Sequence, residues 1–305
     1  MATASIIIPT HNRPQQLPRA VESARASGND VEIIVIDDAS QDETASVCRG
    51  LAGIKYVRLE RNQGVAGARN LGILVSSAEF IAFLDDDDLR VPGSLDAQTA
   101  LLKAHPDAGL VCGAMQIADQ AYQLTDQVFS PGAGGDVFWR LLELDFPVMP
   151  LSVLIRKECF VRVGLLNRRL RGIDDWDILV RIAELYPIIT MDEPVGIYRW
   201  PSPLSGQGSS RQSKQLYDAV RHQAQLFDLD RVKAAGKTEI NATRRRTINR
   251  VADTLLLNAW RRLPDRNYAF VAENTLTALR LNPFRLMRPR VFGRLVKSVW
   301  TGQIA

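Results

Sequence analysis

The chain has 305 residues, 46% hydrophobic and 24% charged, with a formal net charge of +4. That composition supplies a sizeable core and excludes gross disorder. Three cysteines (Cys48, Cys112, Cys159) and three histidines (His11, His105, His222) are scattered without CxxC or HExxH spacing, which argues against a disulfide framework, a thiolate zinc site and a histidine-rich metal centre.

The first ninety residues alternate between two periods. SIIIP (5–9), VEIIVID (31–37), IKYVRL (54–59) and EFIAFL (79–84) read as strands. Stretches near 14–26, 42–50 and 66–76 carry helical spacing. Strand–helix–strand repetition predicts a parallel sheet with helices on its faces, and ligands then bind beyond the carboxyl ends of the strands. PTHNRP (9–14), Asp37 to Ser40, RNQGVAGARN (61–70) and Asp85 to Asp88 all fall on that edge.

Further on, AGLVCGAMQI (108–117) and LSVLIR (151–156) read as strands and GIDDWDILVRIAELYP (172–187) as a helix. The stretch 193–210 begins extended and ends in a Gly/Ser/Pro loop, and its part 199–210, with Arg199, Trp200 and Ser205, is a candidate lid. Helical spacing then dominates over 211–228, 242–262 and 265–281, followed by a basic amphipathic stretch over 284–300. Charge follows this division. Residues 210–305 hold 19 Lys and Arg against 7 Asp and Glu, leaving residues 1–209 with 19 against 27. The expected domains are 1–208 and a basic helical region 209–305. No apolar run nears the roughly 18–20 residues of a membrane span. The start, MATASIIIPTHN, is too short and too little basic for a signal peptide, so a cytoplasmic location is expected.

The four aspartates at 85–88 close a hydrophobic run, where like charges repel strongly unless a cation neutralises them. A solvated loop capping the helix near Pro92 is the plain reading. Half of a divalent-metal and diphosphate site is the functional one. Asp38 ends a buried-looking strand: it either caps a turn or accepts hydrogen bonds from a nucleoside. GVAGARN lacks GxGxxG, and no GxxxxGK[ST] occurs, so Rossmann dinucleotide binding and P-loop chemistry are disfavoured. Gly64 and Gly67 allow a helix N-terminus to approach a ligand, and Arg69 suits a phosphate or an acidic neighbour. Asp177, Arg181 and Glu184 share a helical face as surface ion pairs. Asp174 and Asp175 start that helix, as caps or as a general base.

Taken in order, SIIIPTHNRP, VIDDASQDET, NQGVAGARNLGI, EFIAFLDDDDLRVPGSL and GIDDWDILVRIA resemble glycosyltransferase family 2, whose members are inverting enzymes of the GT-A fold. The resemblance spans residues 3–205. It implies an α/β domain, a Rossmann-like, mostly parallel sheet flanked by helices, with a helical C-terminal extension. It further implies Mn²⁺ or Mg²⁺, a nucleotide-diphosphate sugar donor, by family habit a UDP-sugar, and a glycan or lipid-linked acceptor in cell-envelope glycan synthesis. Pro9, His11 and Asp38 would contact the nucleoside with Arg69 in support, and Thr10 and Arg13 join the donor-binding set. Asp86 would lie near the ribose and Asp87 would bind the metal, with Asp85, the first acid of the DxD, acting through water; Asp88 is expected only to cap the next helix. Asp175 would be the catalytic base. Asp174 stands where the family commonly has Glu, so the choice between the two stays open.

Two other readings stand beside this one. A sugar nucleotidyltransferase wants a Gly-rich basic N-terminal loop, which PTHNRP does not supply. A non-catalytic nucleotide-sugar module would not need the acidic positions that are intact here. The basic C-terminal region is either a helical appendage with a solvated face or a peripheral contact for anionic membrane or a lipid-linked acceptor. Nucleic acid is not an expected partner, since no recognised module accompanies the basic residues.

Overall fold

The computed structural model describes residues 2–200, 210–264 and 266–285. Within these, residues up to 141 together with 146–200 form one compact unit, and 142–145 join 210–285 in a second.

The first unit is built on β1 (Ala4–Thr10), buried at every position. That is why its sequence shows a continuous apolar run and no alternation: a central parallel strand is covered on both faces. It pairs in parallel with β2 (Val31–Asp37) on one side, Ile7 opposite Ile34, and with β4 (Phe80–Phe83) on the other, Ile7 opposite Phe83. Strand β3 (Ile54–Arg58) adds to β2. The helices α1 (Leu17–Ala26), α2 (Thr44–Gly50) and α3 (Gly64–Val75) make the crossovers. The chain moves outward from β1 to β2 and β3, then returns through α3 to β4 on the far side of β1. The crevice beyond the ends of β1 and β4 is therefore a topological switch point, where open α/β sheets bind ligands.

Beyond β4 the nine-stranded sheet becomes mixed. Strand β5 is Leu89–Arg90, and α4 (Ser94–Ala104) leads to β6 (Leu110–Ala118). Next come β7 (Leu124–Phe129), α5 (Phe138–Leu142), β8 (Val153–Arg156), α6 (Lys157–Val163), α7 (Asp174–Leu185) and β9 (Ile188–Arg199). The order is β3-β2-β1-β4-β8-β6-β9-β5, with β7 on β6. Strand β8 is antiparallel to both β4 and β6, while β6 and β9 run parallel. Sequence reading misses β5, two residues wedged between the aspartates and Pro92. It also misses β7, whose first five residues are exposed, so that no apolar face marks it.

Two buried groups brace this sheet. Gly72 lies where α3 crosses β1: a Cβ there would stand 2.3 Å from Ile7 Cγ2. Arg90 is 1% exposed and, among the described residues, has no carboxylate partner; it donates to the Leu151 carbonyl at 2.6 Å and to Gln98. Burial alone pulls its pKa down to about 9.

In the second unit, α8 (Ser210–Leu226), α9 (Asp230–Arg261, broken at Gly236, φ 80°) and α10 (Tyr268–Leu281) pack around Val251, Ala252, Leu255, Leu256 and Ala278. Buried Gln223 donates to the Leu142 carbonyl at 2.8 Å and to Thr247 Oγ1 at 2.6 Å. Several of the basic residues are in ion pairs: Arg246 with Glu143, Arg250 with Asp145, and Arg285 with Asp253 through two nitrogens. No helix among the described residues is long and apolar enough to cross a membrane. The basic stretch over 284–300 lies, from 286 on, outside the described residues, as do 201–209 of the candidate lid.

Candidate active site

The aspartate run turns directly off β4 and folds back on itself, with the Asp88 N–H donating to the Asp85 carbonyl at 3.1 Å. Each carboxylate finds a different environment. The Asp85 side chain is 44% exposed and accepts from Arg69 Nη2 at 2.7 Å. Asp86 is buried, accepting from Thr10 Oγ1 and from Arg13 Nη1, both at 2.7 Å. Burial pushes its pKa up to about 6, with Arg13 opposing and Asp87 adding. Asp87 is flanked by Arg13 Nη1 at 3.3 Å and Arg199 Nη2 at 3.6 Å. Asp88, also buried, accepts from the Arg199 N–H at 2.9 Å. Burial and the neighbouring Asp85 hold it well above the carboxylate range. Asp88 is thus no helix cap: α4 starts at Ser94 behind Gly93, whose φ of 72° makes the turn. Asp88 instead ties the run to the end of β9.

Tyr122, in the β6–β7 turn with φ 64°, lies between two guanidiniums, Arg19 at 4.3 Å and Arg199 at 5.2 Å from its ring centre. Its hydroxyl donates to the Asp87 carbonyl at 3.1 Å. Sequence reading passes over it, because nothing in AYQ marks a residue that meets its partners through tertiary contacts.

The β2 edge is arranged around Asp38. Its Oδ1 accepts from the Gln63 N–H at 2.7 Å and its Oδ2 from the Gly64 N–H at 2.8 Å. Asp38 therefore caps α3, and the helix N-terminus that Gly64 opens (φ 75°) is already engaged. Asp37 accepts from the Ser40 N–H and from Tyr56 Oη, both at 2.8 Å. His11 Nδ1 stands 2.7 Å from the Asp38 carbonyl, which only accepts, so Nδ1 carries the proton; Asn12 Nδ2 faces Nε2 at 3.1 Å. His11 is exposed at the edge, while Pro9 stays buried in β1.

Arg69 joins the two acidic groups. It is 4% exposed, and burial works against its charge. Asp85, Asp174 and Asp175 outweigh that and keep it firmly protonated. Asp174 and Asp175 open α7. Asp174 Oδ1 accepts from the Gly172 N–H at 3.2 Å, and its Oδ2 is buried with no hydrogen-bond partner. Burial and Asp175 raise its pKa to about 6. Asp175 is partly exposed, accepts from the Trp176 N–H at 2.8 Å, and is raised by burial against the pull of Arg69. Asp177 and Arg181 do pair, at 2.7 Å, but Asp177 is buried and Arg181 also donates to the Val163 and Leu165 carbonyls. That pair fixes the α6–α7 loop and does not decorate the surface.

Six carboxylates, Asp85 to Asp88 with Asp174 and Asp175, thus meet three guanidiniums, those of Arg13, Arg69 and Arg199. Negative charge is in excess; burial is the main cause of the raised pKa values of Asp86, Asp88 and Asp174, and neighbouring carboxylates add to it.

The family model described as "Glycosyl transferase family 2" matches residues 5–149, which carry Asp38, Arg69 and Asp85 to Asp88 and end before Asp174, Asp175 and Arg199. An uncharacterized glycosyltransferase of Haemophilus influenzae is 26% identical over 185 residues, 59% of this chain and 62% of its own. The GalNAc(5)-diNAcBac-PP-undecaprenol beta-1,3-glucosyltransferase of Campylobacter jejuni is 41% identical over 120 residues, 37% of this chain and 38% of that one. The chain spans less than two thirds of the length of either. The mannosyltransferase PcManGT of Pyrobaculum calidifontis, solved with GDP-Man and Mn²⁺, superposes with a TM-score of 0.59 at 18% identity, covering 93% of this chain and 87% of that one. The fold is the GT-A fold, with a helical C-terminal region.

Proposed function

We propose that the chain is a metal-dependent inverting glycosyltransferase that moves a sugar from a nucleotide-diphosphate donor, UDP-linked by family habit, to a hydroxyl of a glycan or lipid-linked acceptor. The observation that carries this reading is the meeting of two acidic groups, at the end of β4 and the start of α7, across Arg69 at the sheet's switch point.

Asp85 and Asp87 suit a divalent cation. Hard cations of this kind need one or two carboxylates plus substrate phosphates, so no cage of three protein ligands is required, and among the described residues none forms. The excess negative charge gives such a cation a place, and Asp85 offers a half-exposed carboxylate. Bound there, Mn²⁺ or Mg²⁺ would neutralise the diphosphate leaving group. Arg199 has Nε and Nη2 buried without hydrogen-bond partners, and these are donors for the same phosphates. Thr10 and Arg13 fix Asp86 for the ribose, and His11 faces the donor side of the loop. Asp175, partly exposed and drawn toward neutrality by burial, takes the proton of the acceptor hydroxyl. That oxygen attacks the anomeric carbon on the face opposite the leaving nucleoside diphosphate, and configuration inverts. Asp174, deeper and short of a partner, is itself raised by burial and by the charge of Asp175.

The test is a panel of nucleotide sugars incubated with the full chain and Mn²⁺ or Mg²⁺, with nucleoside diphosphate release quantified for wild type, Asp87→Ala and Asp175→Asn. Metal-dependent release from one donor, lost in both variants, is expected. Absence of both release and binding across the panel would overturn the reading.

A further inference from the structure

A cavity of about 600 Å³ opens between the residues that start α3 and the loop that joins α6 to α7. Arg168, Arg169 and Arg171 line it, and all three are exposed. Among the described residues none of the three guanidiniums has an ion-pair or hydrogen-bond partner. The loop that carries them is not loose. Asn70 clamps Leu166 through both its amide atoms, accepting from the Leu166 N–H and donating to its carbonyl, each at 2.9 Å. Asn167 then turns the chain, its side chain accepting from the Arg169 N–H and its carbonyl from the Leu170 N–H, both at 3.0 Å.

Three arginines in four residues on an open surface would be an ordinary solvated cluster. Here they face a concave wall with the amides of Asn62, Gln63 and Asn167, and Leu166 is the single apolar residue of the lining. No aromatic ring is present for a nucleobase to stack on. The volume suits a small polar ligand, the guanidinium forks match phosphate oxygens two at a time, and the amides suit sugar hydroxyls. The donor diphosphate already has its place beside Asp85, Asp87 and Arg199. The arginine loop instead runs straight into Asp174 and Asp175.

We propose that this cavity is a subsite for a phosphate or diphosphate carried by the acceptor, gripped by Arg168, Arg169 and Arg171. The role of the anion as part of an acceptor rests on the glycosyltransferase reading; the binding itself does not.

The test is calorimetric titration of the full chain with inorganic pyrophosphate in metal-free buffer. Wild type is compared with Arg168→Ala/Arg169→Ala, Arg168→Lys/Arg169→Lys and Arg199→Ala. Charge-assisted hydrogen bonds of this kind predict affinity about tenfold weaker in the double alanine variant. The double lysine and Arg199→Ala variants should stay close to wild type. No saturable binding by wild type overturns the proposal. So does binding that survives in the double alanine variant and is lost in Arg199→Ala, which puts the anion in the donor site. Flotation with phosphatidylcholine vesicles, with and without a polyprenyl diphosphate, separates the sources. Wild type floating only with the polyprenyl diphosphate, and the double alanine variant not floating, supports a lipid-borne anion; pyrophosphate binding without flotation supports a water-soluble one. A chain that binds pyrophosphate through these arginines yet releases no nucleotide from any donor keeps the subsite and loses the transferase reading. Transfer with an unchanged acceptor KM in the double alanine variant does the reverse.

Discussion

Arg69 Nη2 donates to Asp85 Oδ1 at 2.7 Å, and the same guanidinium feels the charges of Asp174 and Asp175, which couples the end of β4 to the acids that open α7. The buried guanidinium opposes the burial that raises Asp174 and Asp175.

That coupling predicts a pH profile. Asp174 is raised to about 6 and Asp175 is also raised, each by burial first and each opposed by Arg69. The base, Asp175 in the proposed mechanism, must be ionised to work, so kcat/KM should fall on the acid side, at a pH above the ordinary carboxylate range. Arg69→Met removes the opposing charge and should move this limb to higher pH. It should also lower kcat/KM at pH 7 by about 10²-fold, the scale of lost general-base function. Arg69→Lys should leave the limb near its original position. A limb that does not move in Arg69→Met would exclude the coupling.

Asp86 should make stability depend on pH. Its folded pKa of about 6 lies above the value of about 3.9 for an unfolded aspartate. Between those values the folded state holds more protons, so this group favours folding fully below pH 4, and the benefit is lost as pH rises through 6. Asp86→Asn should therefore be more stable than wild type at pH 7.5, by about 2–3 kcal/mol at about 1.4 kcal/mol per unit. The advantage should vanish toward pH 4. Denaturant titrations in EDTA at several pH values measure the difference directly.

Tyr122 should act on metal binding without touching the metal. Losing its hydroxyl in Tyr122→Phe frees the Asp87 carbonyl, and a hydrogen bond of about 1 kcal/mol predicts a few-fold rise in half-saturating Mn²⁺. Tyr122→Leu also removes the ring between Arg19 and Arg199. The two cation–π contacts are worth about 0.5–2 kcal/mol each, so the rise should exceed tenfold. Nucleoside diphosphate release as a function of Mn²⁺ reads both.

Gly72 predicts a packing cost that can be relieved. A methyl group there meets Ile7 at 2.3 Å, and overpacking of this kind costs about 1–3 kcal/mol. Gly72→Ala should lower the denaturation midpoint, and Ile7→Ala in the same chain should recover part of the loss although Ile7→Ala alone destabilises. Additive losses would show that α3 does not rest on β1 through this contact.

The period of the apolar residues by itself determined β1 to β4, α1 to α3 and the start of α7, because a doubly covered strand and a helix each leave a distinct spacing in the chain. With those elements in order, the carboxyl-end rule placed the 85–88 aspartates, His11 and Asp38 on one edge. Tertiary structure alone decided how each charge is used. Asp38 and Asp88 are both aspartates after strands, yet one caps α3 and the other holds β9. The difference lies in which backbone N–H groups the fold brings near, over separations of 26 and 111 residues. The same holds for β5, Tyr122 and the arginine-lined cavity. Their partners come from distant segments, and a one-dimensional pattern carries no sign of a contact that forms only when the sheet closes around it.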